Sequence, residues 1–219
     1  MTRLLLASAS PARLATLRSA GFDPLVRVSD VDEPAVLAAA AERLGAFDVA
    51  DAVLLLAQAK ALDVAAAVEA EGAGDDLLVL GCDSLLELDG EPFGKPVDAA
   101  QATARWRTMR GRIGVLHTGH WLVDTRPTDP DGPGSGATLG ATASTRVHFA
   151  DVSDAEIDAY VATGEPLAVA GAFTLDGWGG PFVEGVEGDP HAVVGVSLPL
   201  LRALLGEVGV SVPELWRQA

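Results

Sequence analysis

Asp83 follows a continuous apolar run at residues 77–80, and Lys95 stands twelve residues further on, between Gly94 and Pro96, in "LGCDSLLELDGEPFGKP". An uninterrupted apolar run of this length reads as a strand covered on both faces. Ligand crevices in open α/β sheets lie beyond the carboxyl ends of strands. A carboxylate at that place is therefore a general base, a metal ligand, or an aspartate that only closes a turn. Gly94 permits close backbone approach and Pro96 restricts the lysine backbone.

Other residues of complementary chemistry surround this pair in the sequence. "RLLLA" (3–7) reads as a short buried strand, followed by Ser8 and by Ser10, an N-cap residue ahead of Pro11. Strand, polar turn and helix start aim free backbone N–H groups at the turn, with Arg13 in the first helical turn. Lys60 interrupts an apolar stripe of Val53, Ala57, Val64 and Val68 on a helix expected over 51–71. It either snorkels to the rim or directs a cation into a cleft. Asp32, Glu33 and Asp83 offer oxygen ligands suited to a hard divalent cation such as magnesium. Cations, a helix N-terminus and carboxylates with metal are what phosphoryl chemistry on a polyphosphate requires.

The elements that must position these groups alternate between the two periods. A second strand is expected at "LVRV" (25–28), leading into an acidic loop, "SDVDEP" (29–34). Strands follow at 77–81 and at "LLEL", the latter closed by an Asp89-Gly90 hairpin turn. Asp98 caps a helix expected to end near Arg110, and strands are expected at 114–124 and 141–149. Between the last two lies a Gly- and Pro-rich loop. Ser153 and Glu156 form a capping box for a helix to about Ala162, and a final helix runs from Leu198 to about Glu207. The glycine-dense stretch 171–189 is expected to wrap tightly. The pattern is α/β with an elongated mixed sheet and flanking helices.

Composition narrows the function classes. Hydrophobic residues make up 49% of the 219 positions while aromatics are only 5%, which predicts a core of small side chains rather than a few large anchors. A net charge of -16 opposes binding along a nucleic acid polymer, though local cations or a metal can still favour one phosphorylated ligand. With Cys82 as the sole cysteine, an internal disulfide or a cysteine-based zinc site is impossible. No stretch approaches the length of a membrane span, and a cytoplasmic protein is expected. There is no P-loop, no dinucleotide-binding spacing and no G-x-S-x-G elbow. In "HTGH", strand alternation puts His117 and His120 on opposite faces, against a zinc site.

Taken in order, "LASASPARLATLRSAG", "SDVDEP", "LAQAKA", "GCDSLLELDGEPFGKP", "TGH", "GEPLAVAGAFTLDGWGG" and "HAVVGVSLPLL" resemble the Maf-like nucleoside triphosphate pyrophosphatases over nearly the whole chain. The resemblance implies one domain over 1–219, with two lobes around a central cleft. It also implies metal-dependent cleavage between the α and β phosphates, with Mg2+ or Mn2+, in a homodimer. Asp83 matches the family's general base and a possible metal contact, and Glu33 its acidic loop. Ser8 and Arg13 match the phosphate-binding opening motif, and Lys60 and Lys95 its two lysines. Three departures bear on base preference more than on reaction class. Ala12 stands where a second arginine is usual, Val169 replaces a lysine before "AGA", and Asp176 takes the place of the glutamine in "GIQG". A nucleotide-binding regulator of cell division with little turnover is the alternative, and a metal phosphohydrolase releasing orthophosphate a third reading.

Overall fold

The computed structural model describes residues 2–74, 76–128 and 132–217, so part of the Gly- and Pro-rich loop, 129–131, lies outside the described residues. In chain order the strands and α-helices are β1 (Arg3–Ala7), α1 (Pro11–Ser19), β2 (Leu25–Val26), α2 (Glu33–Leu44), α3 (Val49–Ala70), β3 (Leu77–Leu88) and β4 (Glu91–Phe93). They continue as α4 (Ala99–Met109), β5 (Ile113–Asp124), β6 (Thr138–Phe149), α5 (Asp154–Ala162), β7 (Val183–Glu187), α6 (Pro190–Val194) and α7 (Leu198–Glu207). The strands form one mixed sheet in the order β2-β1-β3-β5-β6-β7, with β4 added to the edge of β3. Parallel pairing joins β1 to β2 and to β3, and the remaining pairs are antiparallel.

Several expectations change in the structure. The two strands expected at 77–81 and "LLEL" are one, because Gly81 is not a turn residue. It carries no side chain where α3 crosses the sheet: a Cβ there would lie 2.2 Å from the Ala57 carbonyl oxygen. The strand at 25–28 shrinks to two residues, with Leu25, Val26 and Val28 all exposed. Within "SDVDEP", the expected acidic loop ends at Asp32, whose carboxylate accepts from the Ala35 N–H at 3.0 Å and starts α2. The glycine-dense stretch 171–189 contains short 3-10 turns and β7. The Asp89-Gly90 turn has φ of 56° and 84°, the double left-handed geometry of a two-residue hairpin.

The sheet is packed differently on its two sides. Leu5, Ala7, Leu77, Val79 and Val123 meet the alanine-rich face of α3, where small residues let helix and sheet approach closely. On the opposite side, Leu4, Leu6, Leu78 and Leu80 pack with Leu17 of α1 and Leu201, Leu204 and Leu205 of α7. Further along that side the core is aromatic, contrary to the composition. Trp106 is fully buried, edge-on to Phe149, Tyr160 and Phe182 at centroid distances of 5.8, 5.5 and 5.8 Å. The aromatics are few but concentrated at one place, which a percentage cannot reveal.

Candidate active site

Strand β3 is paired along one edge by β1 as far as Gly81 and by β4 from Leu86 onward. Residues 82–85 face the interval between those two partners. Asp83 lies there because β1 ends at Ala7 and the β3–β4 hairpin is short. Side-chain alternation puts Asp83 on the α3 side and Ser84 on the other. The strand delivers a carboxylate to a break in the sheet.

α3 supplies its counter-ion. Lys60 Nζ lies 2.5 Å from Asp83 Oδ1 and 2.6 Å from Glu33 Oε1 of α2, so one ammonium bridges both carboxylates. This reach depends on glycine at two positions of the sheet. A Cβ on Gly81 or Gly119 would come within 2.2 or 2.3 Å of an α3 carbonyl oxygen. Burial is the largest influence on Asp83 and raises its pKa, while Lys60 and then Arg13 oppose that shift. Asp83 Oδ2 makes no hydrogen bond among the described residues, which leaves it free to accept a proton.

Ser8, Ser10 and Arg13 gather where β1 ends. The Ser10 hydroxyl accepts from the Arg13 N–H at 3.4 Å and is occupied as the α1 cap. Ser8 Oγ accepts from the Ser10 N–H at 3.1 Å and from Arg13 Nη1 at 3.0 Å, which leaves its own hydrogen to donate. Arg13 also donates to the Cys82 and Gly195 carbonyls at 2.8 and 3.0 Å and to Ser84 Oγ at 3.0 Å. Four of its five N–H groups are thus engaged. The guanidinium fixes the loops around the gap, and its fifth N–H makes no hydrogen bond among the described residues.

A buried polar chain extends inward from Arg13, and the sequence reading missed it. Thr118 Oγ1 donates to the Ala192 carbonyl at 2.8 Å. Its single hydrogen is then committed, so Ser84 Oγ, 2.9 Å away, must be the donor between the two hydroxyls. Arg13, Ser84, Thr118 and α6 are therefore linked in one direction. Two residues beyond Thr118 on the same face of β5, His120 Nδ1 bonds the Thr118 carbonyl at 3.0 Å, while Nε2 accepts from the Ser197 N–H at 2.8 Å. These partners fix the neutral Nδ1–H tautomer.

Lys95 and Asp176 stand apart from the ion-paired group. Lys95 is exposed just beyond β4; extending the β3–β4 register would place it opposite Ser84. Its turn is held by Arg105, which donates to the Gly94 carbonyl at 2.5 Å and lies over the Phe93 ring. Asp176 is exposed in a loop organised by Glu165, which accepts from Thr174 Oγ1 at 2.5 Å and from the Trp178 and Gly179 N–H groups at 3.1 and 3.2 Å. Neither residue is hydrogen-bonded to Asp83, Lys60 or Glu33. Cys82 is no nucleophile, because burial pushes its thiol up to about 12.

Among the described residues, no three His, Cys, Asp or Glu side chains converge as a ready-made metal cage. Glu33 and Asp83 nevertheless meet on one cation, Lys60, which brings the two carboxylates together at one place. Two carboxylates would suit a hard divalent ion such as magnesium, which takes oxygen ligands. No helix among the described residues is long and apolar enough to cross a membrane.

A family model described as "Maf-like protein" matches residues 3–208. The chain is 55% identical over 214 residues to a protein of Streptomyces avermitilis named "Nucleoside triphosphate pyrophosphatase", covering 98% of this chain and 94% of that one. A protein of the same name from Streptomyces coelicolor is 54% identical over 217 residues, covering 99% and 96%. A third, from Salinispora tropica, is 54% identical over 214 residues, covering 98% and 87%.

Proposed function

The chain belongs to the Maf-like protein family, and from that we propose that it hydrolyses nucleoside triphosphates between the α and β phosphates. The products are a nucleoside monophosphate and pyrophosphate, and non-standard or modified nucleotides are included as substrates. The observation that carries this reading is the meeting of Asp83, Lys60 and Glu33 at a break in the sheet, beside the Ser8 hydroxyl and the start of α1.

Asp83 Oδ2 takes a proton from water as the water oxygen bonds to the α phosphorus. The bond from that phosphorus to the bridging oxygen breaks, and its electron pair leaves with pyrophosphate. Burial raises the carboxyl's pKa and so makes the carboxylate more basic, while the Lys60 charge opposes that rise and favours the ionised form. Ser8 donates to a phosphate oxygen, and Lys95 supplies positive charge at the opposite rim of the gap. Glu33 and Asp83 would hold a magnesium or manganese ion, which when bound would neutralise charge developing on the phosphate oxygens.

Product analysis tests the reading on a panel of standard and modified nucleoside triphosphates with magnesium and manganese. Monophosphate and pyrophosphate are expected, with turnover reduced about 10²- to 10⁴-fold in Asp83→Asn. Orthophosphate as the product would assign a different phosphohydrolase. Tight nucleotide binding without any turnover would assign a binding protein instead.

A further inference from the structure

The face of the sheet that carries Asp83 continues beyond α3. That helix passes over Gly81 and Gly119, and its first turn reaches Thr142, whose hydroxyl donates to the Ala50 carbonyl at 2.9 Å. Past that point the face opens: Leu85, Glu87 and Val115 are half-buried, and Ser144 and Ile113 are exposed. Register aligns Asp83 with Gly119, Leu85 with His117, and His117 with Ser144. His117 and Ser144 therefore share the Asp83 face, with His117 one step along the sheet, about 7 Å away by strand geometry.

His117 is held at both ring nitrogens. Nε2 lies 3.1 Å from Glu87 Oε2, and Nδ1 lies 2.8 Å from Ser144 Oγ. A carboxylate only accepts, so Nε2 carries the hydrogen. In the neutral ring Nδ1 then accepts the Ser144 hydroxyl. What this row turns outward is acceptors: Glu87 Oε1, with no hydrogen bond among the described residues, and the lone pairs of Ser144. The gap beside Asp83 presents the reverse polarity, with donors from Ser8 and Lys60 and with Lys95 at its rim.

We propose that the row Glu87–His117–Ser144 is the floor on which the nucleoside half of the substrate lies. Its ribose hydroxyls and base amino or imino hydrogens donate to Glu87 and Ser144. Arg146, opposite Val115 on the same face, is paired with Glu187. An ionised triphosphate, itself acceptor-only and negative, is therefore disfavoured at Glu87 and Ser144 and drawn to the donors at the other end. Leu85 and Val115 flank the row and supply apolar contact for a planar base. The polarity of the two ends thus orients the nucleotide with its α phosphate toward Asp83. The proposal rests on the hydrolase reading above and adds which residues recognise the nucleoside.

The test compares kcat/KM for nucleoside triphosphates with that for methyl triphosphate, which lacks base and ribose. Wild type, Glu87→Gln and Ser144→Ala are used, since both side chains reach the surface and neither belongs to a core cluster. In each variant the preference for nucleoside triphosphates is expected to fall about tenfold, mainly through KM, as loss of roughly one hydrogen bond requires. An unchanged preference in both variants overturns the inference while leaving the hydrolase reading intact. So does a wild type that prefers nucleoside triphosphates no more than methyl triphosphate. A wild type that cleaves no triphosphate overturns the hydrolase reading, and this inference with it.

Discussion

Lys60 Nζ of α3 lies 2.5 Å from Asp83 Oδ1 of β3, with both side chains nearly removed from solvent at 13% and 11% exposure. Such a pair is costly to break from one side, because the remaining charge stays buried without its partner. It also decides how the proposed base titrates. Burial raises the Asp83 pKa and the Lys60 charge is the largest opposing influence.

Lys60→Met therefore shifts the acid limb of the pH–rate profile toward higher pH. The sign follows from the chemistry. Water is activated only by ionised Asp83, and without the ammonium a higher pH is needed to ionise it. A profile measured from pH 5 to 9 on both proteins checks this. An unmoved acid limb would show that Asp83 is not the titrating base.

Gly81 lets α3 come close enough for Lys60 to reach. Gly81→Ala places a methyl group 2.2 Å from the Ala57 carbonyl oxygen, a contact that flexible side chains cannot relieve. The helix must lift, at a cost of about 1–3 kcal/mol or more, and turnover falls as Lys60 withdraws from Asp83. Gly185→Ala is the control, since a Cβ there meets nothing within 4 Å. Thermal melts and kcat on the two variants should diverge.

Local chemistry made much of this architecture readable. Ser10, Asp98 and the Ser153–Glu156 box all cap helices as their spacing suggested, and α7 spans Leu198–Glu207. α2 was not legible because it buries only Ala40 and so shows no apolar stripe; a capping aspartate and a run of alanines sustain it. At five residues, α6 is too short for any period to register. At the site, Asp83 stood out as a carboxylate after an apolar run and Lys60 as a break in a stripe. The strand expected to end before Asp83 nevertheless runs on through it to Leu88, and it is β1 that ends there. Their meeting is non-local, since it depends on glycines in two strands and on the angle at which α3 crosses them. Ser84 and Thr118 lie in stretches that carry the family resemblance, but neither carried a chemical signal of its own. Two ordinary hydroxyls become a relay only once the β3–β5 register sets them opposite each other.

That relay predicts a stability cost without a change in side-chain shape. Thr118→Val keeps the volume but leaves the Ser84 hydroxyl and the Ala192 carbonyl without the partner they have now. About 1–3 kcal/mol is expected to be lost in denaturant unfolding. Because the two residues form one chain, Ser84→Ala combined with Thr118→Val should cost less than the sum of the single changes.

His120 makes folding pH-dependent in a definite direction. Burial is the largest influence and lowers its pKa to about 4, against a hydrogen bond to the Thr118 carbonyl that acts the other way. Its Nε2 also accepts from the Ser197 N–H, which a protonated ring could not do. Between pH 6.5 and about 4 the unfolded chain binds a proton at this position and the folded chain does not. Stability therefore falls as pH drops through that window, by about 3 kcal/mol over the full shift. The raised carboxyl of Asp83 contributes with the opposite slope, so the useful quantity is a difference between two proteins at each pH. His120→Gln can accept from Ser197 and donate to Thr118 without titrating. Unfolding free energies measured at half-unit steps should converge for wild type and variant as pH falls from 6.5 toward 4, with wild type losing the more. Parallel curves across that range would mean that His120 is already free to protonate in the folded protein.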